Sequence, residues 1–220
     1  MPFDLQHIAV CDSTNRAILN YPPNTVLWAD CQTAGRGRRG HAWQSKKCEG
    51  IYFSMLLDGK IDSTLPLLTS LAILGALENL GACNLFLKWP NDIFYKTSKI
   101  GGILVEKNVV GIGLNLKTPQ VENADYPISA LAEVFENMPP TEKIITSILQ
   151  EFEKRREEGF LKNKSTWESH ALWRGKMVRL ETEAGVFSGI FEGVDFQGAL
   201  RLSNFKQAFF SGSLRCPSSV

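Results

Sequence analysis

The sequence predicts an α+β protein, with helices packed on a mixed β-sheet and a small β-barrel at the C-terminal end. Two features predict the first part. Short apolar runs typical of strands recur between helical segments, and residues 65–80 are apolar on nearly every side, as expected of a helix buried against a sheet. Closely spaced short strands with glycine turns after Gly175 predict the second part. We therefore expect one domain over residues 1–173 and another over residues 174–220.

Composition and charge exclude several classes of protein. The chain has 220 residues, 44% hydrophobic and 21% charged, which is ordinary for a soluble globular protein. The formal net charge of +1 gives no general attraction to nucleic acid or to a membrane surface. No apolar run approaches the roughly 20 residues that span a bilayer. The five cysteines are odd in number and widely spaced, which favours reduced thiols in the cytoplasm.

The first half of the chain is expected to supply most of the sheet. Ser13 is a natural helix N-cap, although a hydroxyl at this junction can also face a ligand, because helix N-termini present free N–H donors. Pro90 cannot donate to a sheet ladder, so the strand that starts at residue 85 must turn there. Further strands are predicted over residues 7–12, 25–31, 50–57, 99–106 and 109–116, and a helix over about 63–80.

The second half is expected to hold the remaining helices and the barrel. Residues 117–140 are rich in turn formers, with a short helix near 129–137. An amphipathic helix over 141–159 should end at Gly159, followed by a shorter helix over 161–170. Strands of the barrel are predicted over residues 176–181, 185–194, 199–202 and 208–210.

A basic loop is the first candidate for a binding site. Residues 35–40 combine three glycines with three arginines directly after a predicted strand. Glycine lets the backbone approach a ligand closely, and arginine offers planar donors suited to carboxylate and phosphate. Such a loop can close over an anionic group, and we expect it to open easily without one. The alternative is a flexible basic surface loop, and the hexapeptide alone does not separate the two.

Three further stretches place polar side chains at the ends of apolar strands. Asn91 and Asp92 follow Pro90, where they form either a simple turn or a polar pair in a site. Lys99 precedes two adjacent glycines, which usually mark the close approach of a ligand or of another backbone. Asn115 is a polar residue in an apolar run. Its amide can both donate and accept, as a base edge requires, or it is a satisfied amide at the end of the sheet.

Taken together, these stretches resemble the biotin protein ligase family. Residues 32–43 resemble the family's biotin and adenylate loop, and residues 88–92 and 99–104 resemble its central motifs. Residues 12–15 and 111–115 match its first helix start and its adenine-side strand, and residues 193–200 resemble a turn of its SH3-like barrel. The motifs occur in the family's order, and the match covers nearly the whole chain.

The resemblance implies a fold and a reaction. The fold is a catalytic domain like that of class II aminoacyl-tRNA synthetases, followed by an SH3-like β-barrel. In the reaction, the carboxylate of biotin attacks the α-phosphate of ATP, with Mg²⁺, to give biotinyl-5′-AMP. A lysine of a biotin carboxyl carrier protein then attacks this mixed anhydride. Both steps concentrate negative charge around one phosphate, which cations and backbone N–H groups can stabilise.

The resemblance also implies roles for individual residues. Trp43 would shield the adenylate, Asn115 would read adenine, and Asp92 would orient the incoming lysine or help to hold Mg²⁺. The implied catalytic residues are Lys99, Arg36 and Asp92. The implied biotin-binding residues are Ser13, Thr14, Gln32, Gly35, Arg36, Lys99, Gly102 and Leu104. The implied ATP- and adenylate-binding residues are Arg36, Arg38, Arg39, Trp43, Lys99 and Asn115.

Two departures from the family pattern bear on the partners. Only a few residues precede the first motif, so we expect no winged-helix module and no specific DNA binding. The turn at Lys107 and Asn108 looks shorter than usual, which leaves open whether the protein is a monomer or a homodimer. Three alternatives stay open: a lipoate or octanoate ligase of the same fold, a non-catalytic biotin- or nucleotide-binding protein, and a nucleic-acid binder.

Overall fold

The protein is described by a computed structural model that covers residues 3–59, 61–120 and 126–216. Part of the irregular stretch expected over 117–140, residues 121–125, lies outside the described residues. Within the described part of the chain, no helix is long and apolar enough to cross a membrane.

The larger sheet is mixed, as predicted. Its seven strands have the spatial order β1-β2-β3-β7-β6-β5-β4, in which β1 and β2 run parallel and the other neighbours are antiparallel. Strand β3 is buried along its whole length because it lies between two neighbours near the middle. The strands are Asp4–Cys11 (β1), Thr25–Gln32 (β2), Gly50–Leu56 (β3), Leu85–Lys88 (β4), Asp92–Tyr95 (β5), Ser98–Glu106 (β6) and Val109–Asn115 (β7).

In the part of the chain that the structure describes, three α-helices accompany this sheet: Thr14–Ala17 (α1), Leu65–Asn79 (α2) and Thr141–Ser169 (α3). Helix α2 packs against both the sheet and α3, which explains why it is apolar on nearly every side. The predicted break at Gly159 is present as a residue with φ 75° inside α3, a value that glycine adopts without strain. In place of the short helix expected near 129–137, the structure has one 3₁₀ turn at Leu131–Glu133.

The two faces of the larger sheet differ in the size of their side chains. Phe53 and Ile112 pair across β3 and β7 and belong to the main hydrophobic core, which also contains the buried face of α2. Ser54 and Gly111 form the adjoining pair and point to the opposite side, because successive side chains alternate along a strand. We call this second side the open face. Helix α1 covers part of it, and the small residues leave room over the rest.

The C-terminal part forms a second, four-stranded antiparallel sheet in the order β10-β9-β8-β11. Its strands are Met177–Thr182 (β8), Gly185–Val194 (β9), Leu200–Leu202 (β10) and Ser213–Arg215 (β11). The strand expected over 208–210 is instead a single bridge between Leu200 and Phe209, and β11 was not predicted. The boundary at residue 173 stays a prediction, since both sheets contribute to one continuous core.

The two sheets are joined by hydrogen bonds near Pro90. The indole Nε1 of Trp89 is buried and donates to the carbonyl of Gly198 at 3.0 Å. Ser63 donates its hydroxyl to the carbonyl of Gln197 at 2.6 Å. The turn before β10 therefore lies directly beside the end of β4.

Candidate active site

A group of hydrogen-bonded polar side chains lies at the start of α1, beside the open face. The backbone N–H of Thr14 donates to Gln32 Oε1 at 2.8 Å, and its hydroxyl donates to the same oxygen at 3.1 Å. The Ser54 hydroxyl lies 2.8 Å from Thr14 Oγ1 and 2.7 Å from Asn15 Oδ1. Gln32 Nε2 donates to Ser45 Oγ at 2.7 Å. These side chains are nearly buried and fixed in place, which is suitable for recognising a polar ring.

Arg36 is engaged with a carboxylate. Its Nη2 donates to Glu106 Oε1 at 2.7 Å, at the end of β6. Asn15 Nδ2 donates to the other oxygen of Glu106 at 3.1 Å. The Arg36 side chain is 43% exposed, so this ion pair adds little stability and can exchange for another anion.

Arg38 lies over the turn between β4 and β5. Its Nη1 donates to Asn91 Oδ1 at 2.9 Å, and Asn91 Nδ2 donates to the carbonyl of Ile103 at 2.8 Å. Burial lowers the pKa of the Arg38 guanidinium from its usual value, while nearby Asp92 opposes this effect and nearby Arg39 adds to it. The side chain nevertheless stays charged, since arginine is not deprotonated in proteins.

Asp92 is surrounded by cations. Lys99 Nζ lies 2.7 Å from its Oδ1, and Lys88 Nζ lies 3.6 Å from its Oδ2. Burial alone would raise the pKa of the Asp92 carboxyl, but Lys99, Lys88 and Arg38 outweigh burial and lower it. Asp92 is therefore an anion, and the three surrounding cations leave a surplus of positive charge.

Trp43 covers the open face beside these charges. A Cβ added to Gly113 would lie 2.5 Å from Trp43 Cε2, and one added to Gly102 would lie 3.3 Å from Trp43 Cζ3, so the ring lies directly on both backbones. Lys99 Nζ is 5.5 Å from the centroid of the Trp43 ring. The indole Nε1 is buried without a hydrogen-bond partner among the described residues. A ligand acceptor beside it would satisfy this donor.

The remaining predicted site residues lie around the same face. Gly35 accepts the backbone N–H of Trp43 at 2.9 Å, which closes the base of the basic loop. Asn115 donates its amide to the carbonyl of Ser129 at 3.1 Å. Leu104 lies on β6, where its carbonyl is 3.5 Å from Asn15 Nδ2. Ser13 occupies the N-cap position of α1 without a side-chain capping bond, and Arg39 is exposed with φ 53°.

The described residues of the site form no metal centre by themselves. Among the described residues, no group of three or more His, Cys, Asp or Glu side chains is placed to hold a metal ion. Both oxygens of Asp92 face lysines, so this carboxylate does not fit a metal ligand as it is placed. Mg²⁺ would instead enter with the nucleotide, held mainly by phosphate oxygens and water.

Five residues of this arrangement were not predicted from the sequence. Hydrogen bonds or ion pairs join them to other residues of the site, most of them distant along the chain, as Ser54 is from Thr14. Lys88 is the exception, because its partner Asp92 follows four residues later. One sequence signal could have identified Ser54. Tyr52 and Ser54 alternate with large apolar residues along β3, which places polar groups on one face of a fully buried strand. The five residues are Asn15, Ser45, Ser54, Lys88 and Glu106.

Two family models match the chain. Residues 8–116 match the model described as the biotin/lipoate A/B protein ligase family. Residues 175–204 match the model of the biotin protein ligase C terminal domain. The first match includes the whole larger sheet except the start of β1, and the second includes most of the C-terminal sheet.

Individual relatives are also similar over most of the chain. The bifunctional ligase/repressor BirA of Bacillus subtilis is 34% identical over 83% of this chain, and the chain spans 62% of that relative. A biotin--[acetyl-CoA-carboxylase] ligase of Mycobacterium tuberculosis is 32% identical, over 80% of this chain and 72% of the relative. The solved biotin protein ligase from Aquifex aeolicus, in complex with biotin and ATP, superposes with a TM-score of 0.83 at 29% identity, covering 97% of this chain and 99% of that one.

Proposed function

The chain belongs to the biotin protein ligase family, and we propose on this basis that it is an ATP-dependent biotin protein ligase. It activates biotin as biotinyl-5′-AMP and transfers the biotinyl group to a lysine of a biotin carboxyl carrier protein. ATP with Mg²⁺ and biotin are its small-molecule substrates. The acceptor is the biotin-accepting domain of a carboxylase.

One observation carries this proposal. A nearly buried polar pocket at Thr14 and Gln32, an apolar cover at Trp43, and a surplus of positive charge around Asp92 lie along one face of one sheet. Biotin presents these chemistries in the same sequence: a polar ureido ring, an apolar chain and a carboxylate. The nucleotide phosphate then meets that carboxylate where the cations lie.

In the first step, the residues hold two anions against each other. Lys99 and Arg36 contact the biotin carboxylate and the α-phosphate, and Arg38 contacts the phosphates together with Arg39. Arg36 exchanges the Glu106 carboxylate for a ligand anion, which is feasible because the existing pair is partly exposed. Carboxylate oxygen attacks phosphorus as pyrophosphate leaves, and the charge that develops is stabilised by donors already in place.

In the second step, the acceptor lysine attacks the carbonyl of the mixed anhydride and AMP leaves. Trp43 covers the adenylate and excludes water, which would otherwise hydrolyse it. Asp92 lies beside Lys99 and orients the incoming amine. Asn115 reads the adenine through its amide, and Ser13, Gly35, Gly102 and Leu104 line the biotin channel.

A pyrophosphate-release assay tests the substrate class. The protein is incubated with ATP, Mg²⁺ and either biotin, lipoate or octanoate, and the initial rates are compared. We expect release with biotin at least about 10²-fold faster than with the other two acids, because a site built to hydrogen-bond a polar ring rejects analogues that lack it. Faster release with lipoate or octanoate would identify the other branch of the family, and no release with any acid would indicate a binding protein.

The remaining partner assignments are also proposals. The net charge of +1 supports only weak duplex DNA binding, with dissociation constants of about 10⁻⁴ to 10⁻⁶ M. A tight, sequence-dependent gel shift in the presence of biotin and ATP would refute this. Cys11, Cys31, Cys48 and Cys83 are free thiols, in keeping with a cytoplasmic enzyme. Analytical ultracentrifugation with and without both ligands distinguishes a monomer from a homodimer.

A further inference from the structure

We propose that Lys88 is a positioning residue for this reaction: it holds the second oxygen of Asp92 and so leaves the Lys99 ammonium available to substrate. The inference rests on the proposed function and adds to it a residue with no role assigned above. It is carried by the burial of Lys88, its pairing with Asp92, and its aromatic surroundings.

Lys88 is a buried cation at the end of β4. Its side chain is only 4% exposed, and a buried ammonium is costly unless other groups compensate its charge. The compensation comes from Asp92 Oδ2 at 3.6 Å and from the faces of two aromatic rings, Tyr126 with its centroid at 4.5 Å and Trp173 at 6.0 Å. A chain that only needed an apolar residue here would have no reason to bury a charge.

The register of the sheet fixes the pair. Lys88 and Asp92 are directly opposite each other across β4 and β5, and Asp92 is in turn opposite Gly102 on β6. Lys88 therefore holds one oxygen of the Asp92 carboxylate from the neighbouring strand, while Lys99 Nζ contacts the other oxygen at 2.7 Å. Because two lysines share one carboxylate, neither is fully neutralised.

The consequence concerns Lys99. With Lys88 in place, Asp92 keeps a close cationic partner when Lys99 turns towards the biotin carboxylate or the phosphate. Without Lys88, Lys99 becomes the only lysine on Asp92, and its departure would leave the buried carboxylate with Arg38 as the one remaining cation of the three. Lys88 thus lowers the cost of the exchange that Lys99 must make, without touching substrate itself.

The aromatic cover connects this pair to the C-terminal sheet. The Tyr126 hydroxyl donates to the carbonyl of Leu214 in β11 at 2.8 Å. Its ring packs against Trp173 at 6.1 Å and against Phe94 at 5.7 Å between centroids. The C-terminal sheet therefore contacts the ring that covers Lys88, while Phe94 and Trp173 hold the same ring by packing.

The test places Lys88→Met in two backgrounds, wild type and Asp92→Asn, and measures pyrophosphate release with biotin and ATP. Lys88→Met alone should lower kcat by roughly 10- to 100-fold, the scale for losing one preorganised charge, while the KM for biotin changes by less than about threefold. In the Asp92→Asn background the same substitution should cost less than about threefold, because the group through which Lys88 acts has been neutralised. Lys96→Met is the matched control, since Lys96 also lies over an aromatic ring, Tyr95 at 4.9 Å, but is exposed.

Two results would overturn the proposal. One is an equal loss in both backgrounds, which would mean that Lys88 acts independently of Asp92. The other is a raised KM for biotin with unchanged kcat, which would place Lys88 in ground-state binding. If Lys88→Met fails to fold, Tyr126→Leu removes the ring but keeps the lysine and should lower kcat, whereas Tyr126→Phe should stay within about threefold of wild type. Equal kcat for these two variants would also refute the proposal.

A stability measurement separates this claim from the proposed function. If the wild type releases no pyrophosphate with biotin, lipoate or octanoate, the proposed ligase activity fails, and the pairing is tested by urea unfolding of the same four proteins. The shifts in urea midpoint from Lys88→Met and Asp92→Asn should then be clearly non-additive, as expected for groups in direct contact. Additive shifts would show that the two side chains do not act as a pair.

Discussion

At the scale of single residues, positive charges outnumber negative charges around Asp92. One carboxylate is surrounded by Lys88, Lys99 and Arg38, and its own pKa is held down by them against the effect of burial. A protein that only needed stability would gain little from such a cluster, because buried charges cost more than apolar packing. A site that must accept two anions at once benefits from the surplus.

A substitution at Gly113 tests the packing of the Trp43 ring on the backbone of β7. In Gly113→Ala the new methyl would lie 2.5 Å from the indole ring, so the ring must move off the open face. We expect the fold to persist and the affinity for the adenylate to fall by roughly tenfold or more, because overpacking of this size costs about 1–3 kcal/mol. Isothermal titration with a non-hydrolysable adenylate analogue measures this. Trp43→Ala serves as a second background, because without the indole ring the methyl group of Gly113→Ala meets no ring. In this background Gly113→Ala should lower the adenylate affinity little further. A further loss as large as that in the wild type would contradict the packing argument.

Cys11 gives a prediction of pH dependence. Burial, followed by the charges of Asp12 and Cys31, raises the pKa of the Cys11 thiol to about 11. At pH 8 it should hold roughly 200-fold less thiolate than an ordinary thiol with a pKa of about 8.5. Iodoacetamide should therefore label Cys11 at least about tenfold more slowly than exposed Cys48 and Cys83, with a rate that keeps rising up to about pH 11. Peptide mapping by mass spectrometry reads all three thiols, and equal labelling rates at pH 8 would be inconsistent with the raised pKa.

At the scale of elements, the basic loop makes contacts that its composition does not predict, while its ease of opening stays a prediction. Three glycines and a high density of positive charge predict a segment that opens easily. The structure instead closes its base by hydrogen bonds between Gly35 and Trp43 and between Gly37 and His41. Arg36 and Arg38 hold its tip to Glu106 and Asn91. Glu106 and Asn91 are distant from the loop along the chain, so local sequence patterns do not reveal these two contacts.

Limited trypsin digestion tests whether ligands close this loop further. Arg39, Lys46 and Lys47 are exposed cut sites in the loop. Biotin and ATP together should slow cleavage there by roughly tenfold or more, because the contacts proposed between the adenylate and Arg36, Arg38 and Trp43 require the closed loop. Biotin alone should protect partly, since it brings a carboxylate but no phosphate. Cleavage at Lys96, outside the loop, serves as the internal control, and equal protection at both places would exclude a loop-specific effect.

Whether an element or a site residue could be predicted from the sequence depends on whether its interactions leave a local pattern. The strands of the larger sheet and the break at Gly159 were predicted because alternation, apolar runs and glycine are local signals. The strand expected over 208–210 was wrong, because Phe209 is apolar yet bridges only Leu200. Strand β11 was not predicted because a strand of three residues is too short to show an alternating pattern. Lys88 and Glu106 were missed for another reason: their roles depend on partners that the sheet register brings together.

At the scale of the whole molecule, the two sheets act as one folded unit. They share a continuous hydrophobic core, and Trp89 and Tyr126 each donate a hydrogen bond from the larger part to the C-terminal part. The active-site turn at Asn91 and Asp92 lies between these two contacts. The C-terminal sheet therefore supports the site although it contributes none of the predicted site residues.

Truncation after Trp173 tests this support. The shortened chain loses the acceptor for the buried Trp89 indole, which costs about 1–3 kcal/mol, and exposes much of the shared core. We expect a lower midpoint of urea unfolding and a loss of pyrophosphate release of at least about 10²-fold. The point variant Trp89→Phe removes this hydrogen bond and part of one buried ring, leaves the C-terminal sheet in place, and should keep most activity. A truncated chain with full stability and activity would show that the C-terminal sheet is dispensable.

If biotin and ATP meet on the open face beside Lys99, as proposed, the single-turnover formation of biotinyl-5′-AMP depends on this lysine. The adenylate formed from biotin and ATP is quantified for the wild type, for Lys99→Ala, and for the exposed control Lys96→Ala. We expect rapid formation by the wild type and by Lys96→Ala, and formation slowed by roughly 10²-fold or more in Lys99→Ala with the fold unchanged. Adenylate formation at the wild-type rate in Lys99→Ala would contradict this proposal.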